Sequence, residues 1–374
     1  MPKGIRKEDG KQEPLKALPP YKDPNRHWII ISVAIALIVV IFLIYTQLPK
    51  TATTGPEQVP ISTPWPSVAT STPTKAPLPS PTEGPLPTIV PKEIIKCGDV
   101  AKSITLQNDL MSVGTCLTVK KEGITIDCNR YKIEGKLNAS SVGIFSEFPN
   151  TAIKNCYIDN YEIGIRLKNA DGSSIEETTL ADNIGNALIE NSKRLLIRKN
   201  NVYNGSQGGL IFTGLMDSTL EGNFIDNNRK FGIQLTSSKG NTIKSNMIYR
   251  NQLGILLSAS ANNIIDSNNV SYNTGGIRLA EASNENTVSN NFVSNNKGLG
   301  YHSIYSISNR IENNKIVNNE YGINIYDGRS SLVNNYVCGN TIEDIECKNA
   351  QDAGGNTCFL RATTCQFNCV MPCP

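Results

Sequence analysis

Apolar residues recur along this chain in a pattern that repeats about every 22 residues from Ile153 towards the C-terminus. One apolar position falls at Ile153, Ile175, Ile197, Leu220, Ile243, Ile265, Val288, Ile311 and Leu332 in successive copies. A second follows at Ile158, Leu180, Val202, Ile225, Ile248, Val270, Val293, Ile316 and Val337. A third segment carries a small residue and then alternating apolar ones, as in Gly143-Ile144, Gly164-Ile165-Arg166-Leu167, Gly209-Leu210, Gly232-Ile233-Gln234-Leu235, Gly254-Ile255, Gly276-Ile277-Arg278-Leu279 and Gly322-Ile323-Asn324-Ile325.

Strands this short, with period-two alternation and Asn, Gly and Ser between them, cannot bury an apolar face alone. Stacking solves the problem: each repeat becomes one turn of a three-sided solenoid, and every strand pairs in parallel with its counterpart one turn away. The pattern therefore predicts an all-β protein, a single-stranded parallel β-helix of roughly ten turns, right-handed as parallel crossovers are. At about 4.8 Å per turn the rod is on the order of 50 Å long.

Asparagines mark the corners. Asn200, Asn223, Asn246, Asn268, Asn291, Asn314 and Asn335 share one repeat position, and Asn228, Asn251, Asn273, Asn296, Asn319 and Asn340 share another. Asn tolerates left-handed backbone and bonds to neighbouring backbone, so these positions are expected to form the tight turns, with side-chain amides bonded along the rod. The residue after the first apolar position runs Asp127, Lys154, Glu176, Arg198, Glu221, Lys244, Asp266. Its sign alternates at every turn. Opposite charges on adjacent strands favour this register and disfavour a slipped one, so the face reads as architecture rather than as a carboxylate cluster.

The segment ahead of the repeats changes the setting. Residues 28–45 are almost wholly apolar, long enough to cross a bilayer, and Lys3, Arg6, Lys7, Lys11, Lys16, Lys22 and Arg26 precede them. The positive-inside rule then puts the N-terminus in the cytoplasm and the remainder outside, through an uncleaved signal anchor. From Thr51 to Pro91 the chain is largely Pro, Thr and Ser, the composition of an extended stalk. The expected organisation is a basic cytoplasmic tail (1–27), a membrane anchor (28–48), an extracellular stalk (49–95), the β-helix (96–347) and a Cys-rich C-terminal cap (348–374).

Ten cysteines gather at the two ends of the folded region. Cys97, Cys116, Cys128 and Cys156 lie at one, and Cys338, Cys347, Cys358, Cys365, Cys369 and Cys373 at the other. Outside the cell these are expected to be disulfides closing the ends of the core. Cys128 with Cys156, Cys97 with Cys116 and Cys338 with Cys347 are the pairings that spacing suggests, although spacing does not fix connectivity. With no Cys-x-x-Cys pair and no histidine in either cluster, no metal is expected. Asn138, Asn204 and Asn269 head N-glycosylation sequons.

The stretch Ile124-Thr125-Ile126-Asp127-Cys128-Asn129, followed by repeats such as Asn241-Thr242-Ile243-Lys244-Ser245-Asn246-Met247-Ile248 and Tyr321-Gly322-Ile323-Asn324-Ile325, resembles right-handed parallel β-helix repeat proteins of the NosD-like or CASH type. The resemblance covers about residues 97–350 and implies the pectin lyase-like superhelix, many of whose members bind or cleave polysaccharides. A membrane anchor with a Pro/Thr stalk fits archaeal surface members in particular. Fold alone does not carry an activity across. The chain has no Asn-Thr-Asp, Asp-Asp, Gly-His-Gly or Asp-Pro-His motif, so no lyase, hydrolase or epimerase site is complete and no catalytic residue is assigned. The copper link in the NosD name lacks ligands too: His27 and His302 are the two histidines and the methionines are scattered. No cofactor is expected.

Binding needs aromatic faces beside polar groups, and Tyr301, His302, Tyr305, Tyr321, Tyr326 and Asp327 cluster where Gly298-Leu299-Gly300-Tyr301 breaks the usual pattern. The ordinary alternative is that these tyrosines shield a corner. Ile189, Ile211 and Leu256 are expected to point outward as an apolar strip interrupted by Gln234, a surface for docking. The formal net charge of +3 equals the seven bases less the four acids of residues 1–27, so the rod is near neutral and offers no stripe for nucleic acid. The sequence thus predicts a single-pass cell-membrane protein that presents a β-helix outside the cell for non-catalytic binding to polysaccharide or other surface proteins. A carbohydrate-active enzyme with a diverged site and a purely structural envelope component are the alternatives.

Overall fold

The computed structural model describes residues 95–326, 329–359 and 373. The expected tail, anchor and all of the stalk but residue 95, together with Asp327, Cys365 and Cys369, lie outside them. The described residues contain strands and no helix. Three parallel sheets of twelve strands each receive one strand from every turn in the same order, so the coil has twelve turns rather than roughly ten. The extra turns lie at the ends, where strands of two or three residues such as Ile104–Thr105 and Gln351–Asp352 lack the glycine-apolar signature of the middle repeats.

Sheet 1 holds the long strands, typified by Ile163–Lys168, whose residues Ile165 and Leu167 are fully buried. Sheets 2 and 3 hold short strands, typified by the three-residue Ser174–Glu176 and Thr179–Ala181, each with its central residue buried. Like stacks on like: Ile175 pairs with Ile197, and Leu180 with Val202. Each such side chain contributes about 1.5–3 kcal/mol of burial, and twelve turns of them make one continuous core. The second residue of most long strands is glycine, where the chain comes closest to the turn above. A Cβ on Gly276 would lie 2.1 Å from the carbonyl oxygen of Gly300.

The asparagines form buried ladders. At the corner between sheets 2 and 3, Asn200 Nδ2 donates to Asn223 Oδ1 (2.9 Å) and to the Ile175 carbonyl (2.9 Å), and its backbone N–H donates to the same Oδ1 (3.1 Å). The pattern repeats to Asn356. A matching ladder from Asn228 to Asn340 follows sheet 3, and a third, unexpected from the sequence, runs through Asn241, Asn263, Asn286 and Asn309 after sheet 1. The left-handed turn residue is not the ladder Asn but the one before it, as at Lys199 (φ 53°), Ser245 (φ 55°) and Asn290 (φ 55°). The division has a cause: the turn is made by a residue facing solvent, which frees the next side chain to point inward and satisfy buried backbone.

On sheet 2 the alternating charges stand in register from Asp127 to Asp266. Lys154 meets Asp127 at 3.4 Å, Arg198 meets Glu176 at 2.5 Å and Lys244 meets Glu221 at 3.2 Å. Disulfides join Cys97 to Cys116 and Cys128 to Cys156 as expected. Cys338 pairs with Cys373 and not with Cys347. Cys338 ends a sheet 3 strand while Cys347 ends the next sheet 1 strand in register with buried Ile325, so the chain has turned a corner between them. Cys347 and Cys358 are also disulfide-bonded.

Candidate functional site

Sheet 1 presents one outward residue per turn between its two buried ones. Register makes them a row: Arg166, Leu188, Ile211, Gln234, Leu256, Arg278, His302, Asn324, Glu346. Leu188, not Ile189, belongs to this row. Ile189 is fully buried because Asn186, rather than Gly185, occupies the position of Gly164, and a one-residue slip turns every side chain to the other face. Leu188 and Ile211 line a hollow of about 380 Å³ with Phe231.

Adjoining this hollow at Phe231, a groove of about 820 Å³ opens on the same sheet. Leu253, Leu299 and Tyr321 line one side, with Gly275 between the first two, and Arg278, His302, Asn324 and Glu346 line the other. Gly275 makes the hollow, since its neighbours on adjacent turns carry large side chains. Tyr326 stands edge-on to His302, ring centroids 6.4 Å apart, and its hydroxyl donates to Glu346 Oε1 at 2.9 Å. Asn324 Nδ2 donates to the other oxygen of that carboxylate. Glu346 is thereby fixed by two donors, and its hydrogen bond pushes the Tyr326 hydroxyl above the ordinary phenol range.

Burial in the groove, with Arg278 beside it, lowers the His302 imidazole to about 4. It is neutral at physiological pH. His302, Tyr321 and Tyr326 therefore come together as expected, and Arg278, Asn324 and Glu346 join them. The signal for the last three was present, as the single polar residue between two apolar ones in each long strand, but it reads as architecture until register aligns the turns. Tyr301 is not part of the site: it replaces the isoleucines of the adjacent turns, Ile277 and Ile323, and is fully buried. Tyr305 sits at a left-handed corner (φ 51°), 67% exposed and away from the groove. Of the sequon residues, Asn138 and Asn204 are exposed and Asn269 is half-buried in a strand of sheet 3.

The profile described as "Periplasmic copper-binding protein (NosD)" matches residues 117–303 and 275–352, most of the solenoid. The chain belongs to the NosD family. No curated protein matches it significantly. Among solved structures, this NosD-family chain resembles a double mutant of a periplasmic alginate epimerase (19% identity, 65% of each chain covered, TM-score 0.56). It also resembles the Dettilon tailspike protein (15% identity, 68% of this chain and 60% of that one, TM-score 0.59). A third likeness is the A-module of an Azotobacter vinelandii mannuronan C-5 epimerase (16%, 68% and 81%, TM-score 0.51). The chain spans about two thirds of the alginate epimerase, and at these identities the likeness is one of fold.

Copper, which the family description implies, does not fit the described residues. His302 is their one histidine, no described cysteine is free, Met111, Met216 and Met247 are separately exposed, and no group of three His, Cys, Asp or Glu converges. Copper selects imidazole and soft sulfur in close array, so no chemistry is routed through it here.

Proposed function

We propose that this NosD-family protein is a non-catalytic glycan-binding rod, anchored through residues 28–48 in the cell membrane and held outside it. The observation that carries this reading is the sheet 1 groove, where Tyr321 and Tyr326 stand beside Arg278, Asn324 and a pinned Glu346 over an apolar floor. Rings that cover a sugar face and fixed donors and acceptors that meet its hydroxyls are what carbohydrate recognition requires. Catalysis is disfavoured by the groove's own base: an imidazole near 4 is a weak proton acceptor at neutral pH. The disulfides at both ends match the oxidising, periplasmic setting of the family. The alternating charge face and amide ladders serve the rigidity of the rod that carries the groove.

The test is a glycan array probed with the detergent-solubilised full chain, followed by assay of each bound polysaccharide for new reducing or unsaturated ends. Binding without new ends is expected. New ends would make the protein a carbohydrate-active enzyme, and absence of all binding would leave a structural envelope role.

A further inference from the structure

A second groove, of about 1060 Å³, lies on the other side of the corner that joins sheet 3 to sheet 1. It runs from Asn204 to Lys297, four turns or roughly 19 Å along the rod. Its wall is aromatic: Phe224 and Tyr249 lie with ring centroids 6.1 Å apart, and Tyr272 on the next turn is 60% exposed. These are solvent-facing rings on successive turns that line one groove, and a ligand with flat apolar faces would bury them.

The charge of this groove is what separates it from the first. Asp226 is its one carboxylate, and Arg250 already covers it, with Nε 2.7 Å from Oδ1 and a second contact from Nη2. Arg229 and Lys297 line the groove and form no ion pair among the described residues. The groove therefore carries an excess of two positive charges, while residues 95–374 as a whole carry no formal net charge. A neutral sugar chain would leave both unanswered. From this we infer that the corner groove is a binding subsite for anionic glycan, in which Tyr249 and Tyr272 stack on sugar rings and Arg229 and Lys297 receive carboxylate or sulfate groups about 14 Å apart, three turns of the rod. The inference rests on the glycan-binding reading and adds the class of sugar. Gln252 and Thr274 line both grooves, so one chain bound in the first can cross the corner into the second.

The test uses the full chain in detergent, titrated calorimetrically with a polygalacturonate oligosaccharide, a sulfated dextran oligosaccharide, a neutral cello-oligosaccharide and single-stranded DNA. The acidic sugars should bind at least about tenfold more tightly than the neutral one, and salt should weaken them selectively. R229A/K297A, whose changes are exposed and should not affect folding, should remove that preference and leave neutral binding as it was. Carboxylated and sulfated probes separate the two sources of charge; tight binding of either supports the subsite. Equal affinity for acidic and neutral sugars, an unchanged preference in R229A/K297A, or DNA binding as tight as the acidic sugars would overturn it while leaving the general reading standing. Binding of no sugar at all would overturn both.

Discussion

Asn186 supplies the side-chain amide that Gly205 lacks. At Gly205 the sheet 3 ladder has a turn with no side chain, and Asn186, from the neighbouring long strand, reaches into the gap. It accepts from Asn183 Nδ2 (2.9 Å) and donates to Asn228 Oδ1 (2.9 Å), so the chain of amides is unbroken across the missing turn. Asn186 stands where other turns have glycine, and Gly205 stands where they have asparagine. The two exceptions to the repeat are one exchange.

Replacing Asn186 by Ala strands a buried donor on Asn183 and removes one donor from Asn228. The expected cost is about 1–3 kcal/mol, measured by urea unfolding. The reciprocal swap, Asn186→Gly with Gly205→Asn, should not restore stability. A Cβ on Gly205 would meet the Gly208 carbonyl oxygen at 2.3 Å, and that backbone cannot give way.

Gly275 and Gly276 are adjacent and should behave in opposite ways. Gly276→Ala drives a methyl into the Gly300 carbonyl and the Val293 side chain, and should cost about 3 kcal/mol or fail to fold. Gly275→Ala meets only the flexible end of Leu253, at 3.0 Å, and its methyl enters the sheet 1 groove. Thermal unfolding should change little there while affinity for a bound neutral oligosaccharide falls several-fold.

Reducing the first turns to thiols tests how far the N-terminal end depends on covalent closure. The Cys128–Cys156 bridge spans 28 residues of sequence, for which loop-closure entropy gives roughly 3–4 kcal/mol. C128S/C156S should unfold at lower urea by that amount. Retained stability would mean that the core alone holds these turns together.

His302 should make stability pH-dependent between its unfolded and folded pKa values. The folded value, about 4, lies below the ordinary imidazole value of 6.5, so over this interval the unfolded chain binds more protons. Stability must therefore fall as pH drops from 6.5 towards 4, and this loss should be smaller in His302→Gln. NMR titration of the imidazole gives the direct check: a midpoint near 6.5 would contradict the half-buried, Arg278-flanked position.

Reversing one charge of the sheet 2 ladder should cost more than removing it. Glu221→Lys sets like charges beside Arg198 and Lys244, and about 1 kcal/mol is expected, reduced by salt. Adding Lys244→Glu restores their mutual attraction but leaves the first change against Arg198 and sets the second against Asp266. Rescue measured by urea unfolding should therefore be partial.

The sequence alone determined the coil, because its instructions are local and repeated. Alternation at Ile165 and Leu167, a buried residue at Ile175 and at Leu180, and an inward amide at Asn200 each follow from the chemistry of a few neighbouring residues. Nine near-copies make that signal hard to mistake, while the turns at the two ends carry degenerate copies that the pattern does not reveal. The grooves are different. Arg278, His302, Asn324 and Glu346 are about 22 residues apart in sequence and become neighbours only because parallel pairing sets each turn directly upon the last. A shift of one residue, as at Asn186, exchanged Ile189 for Leu188, and Tyr301 went inside because its turn offered it a core position. Phe224, Tyr249 and Tyr272 form a wall for the same reason. Which side chains face inward is a property of each strand, while which of them share a site is a property of register between strands, and only the tertiary structure decides that.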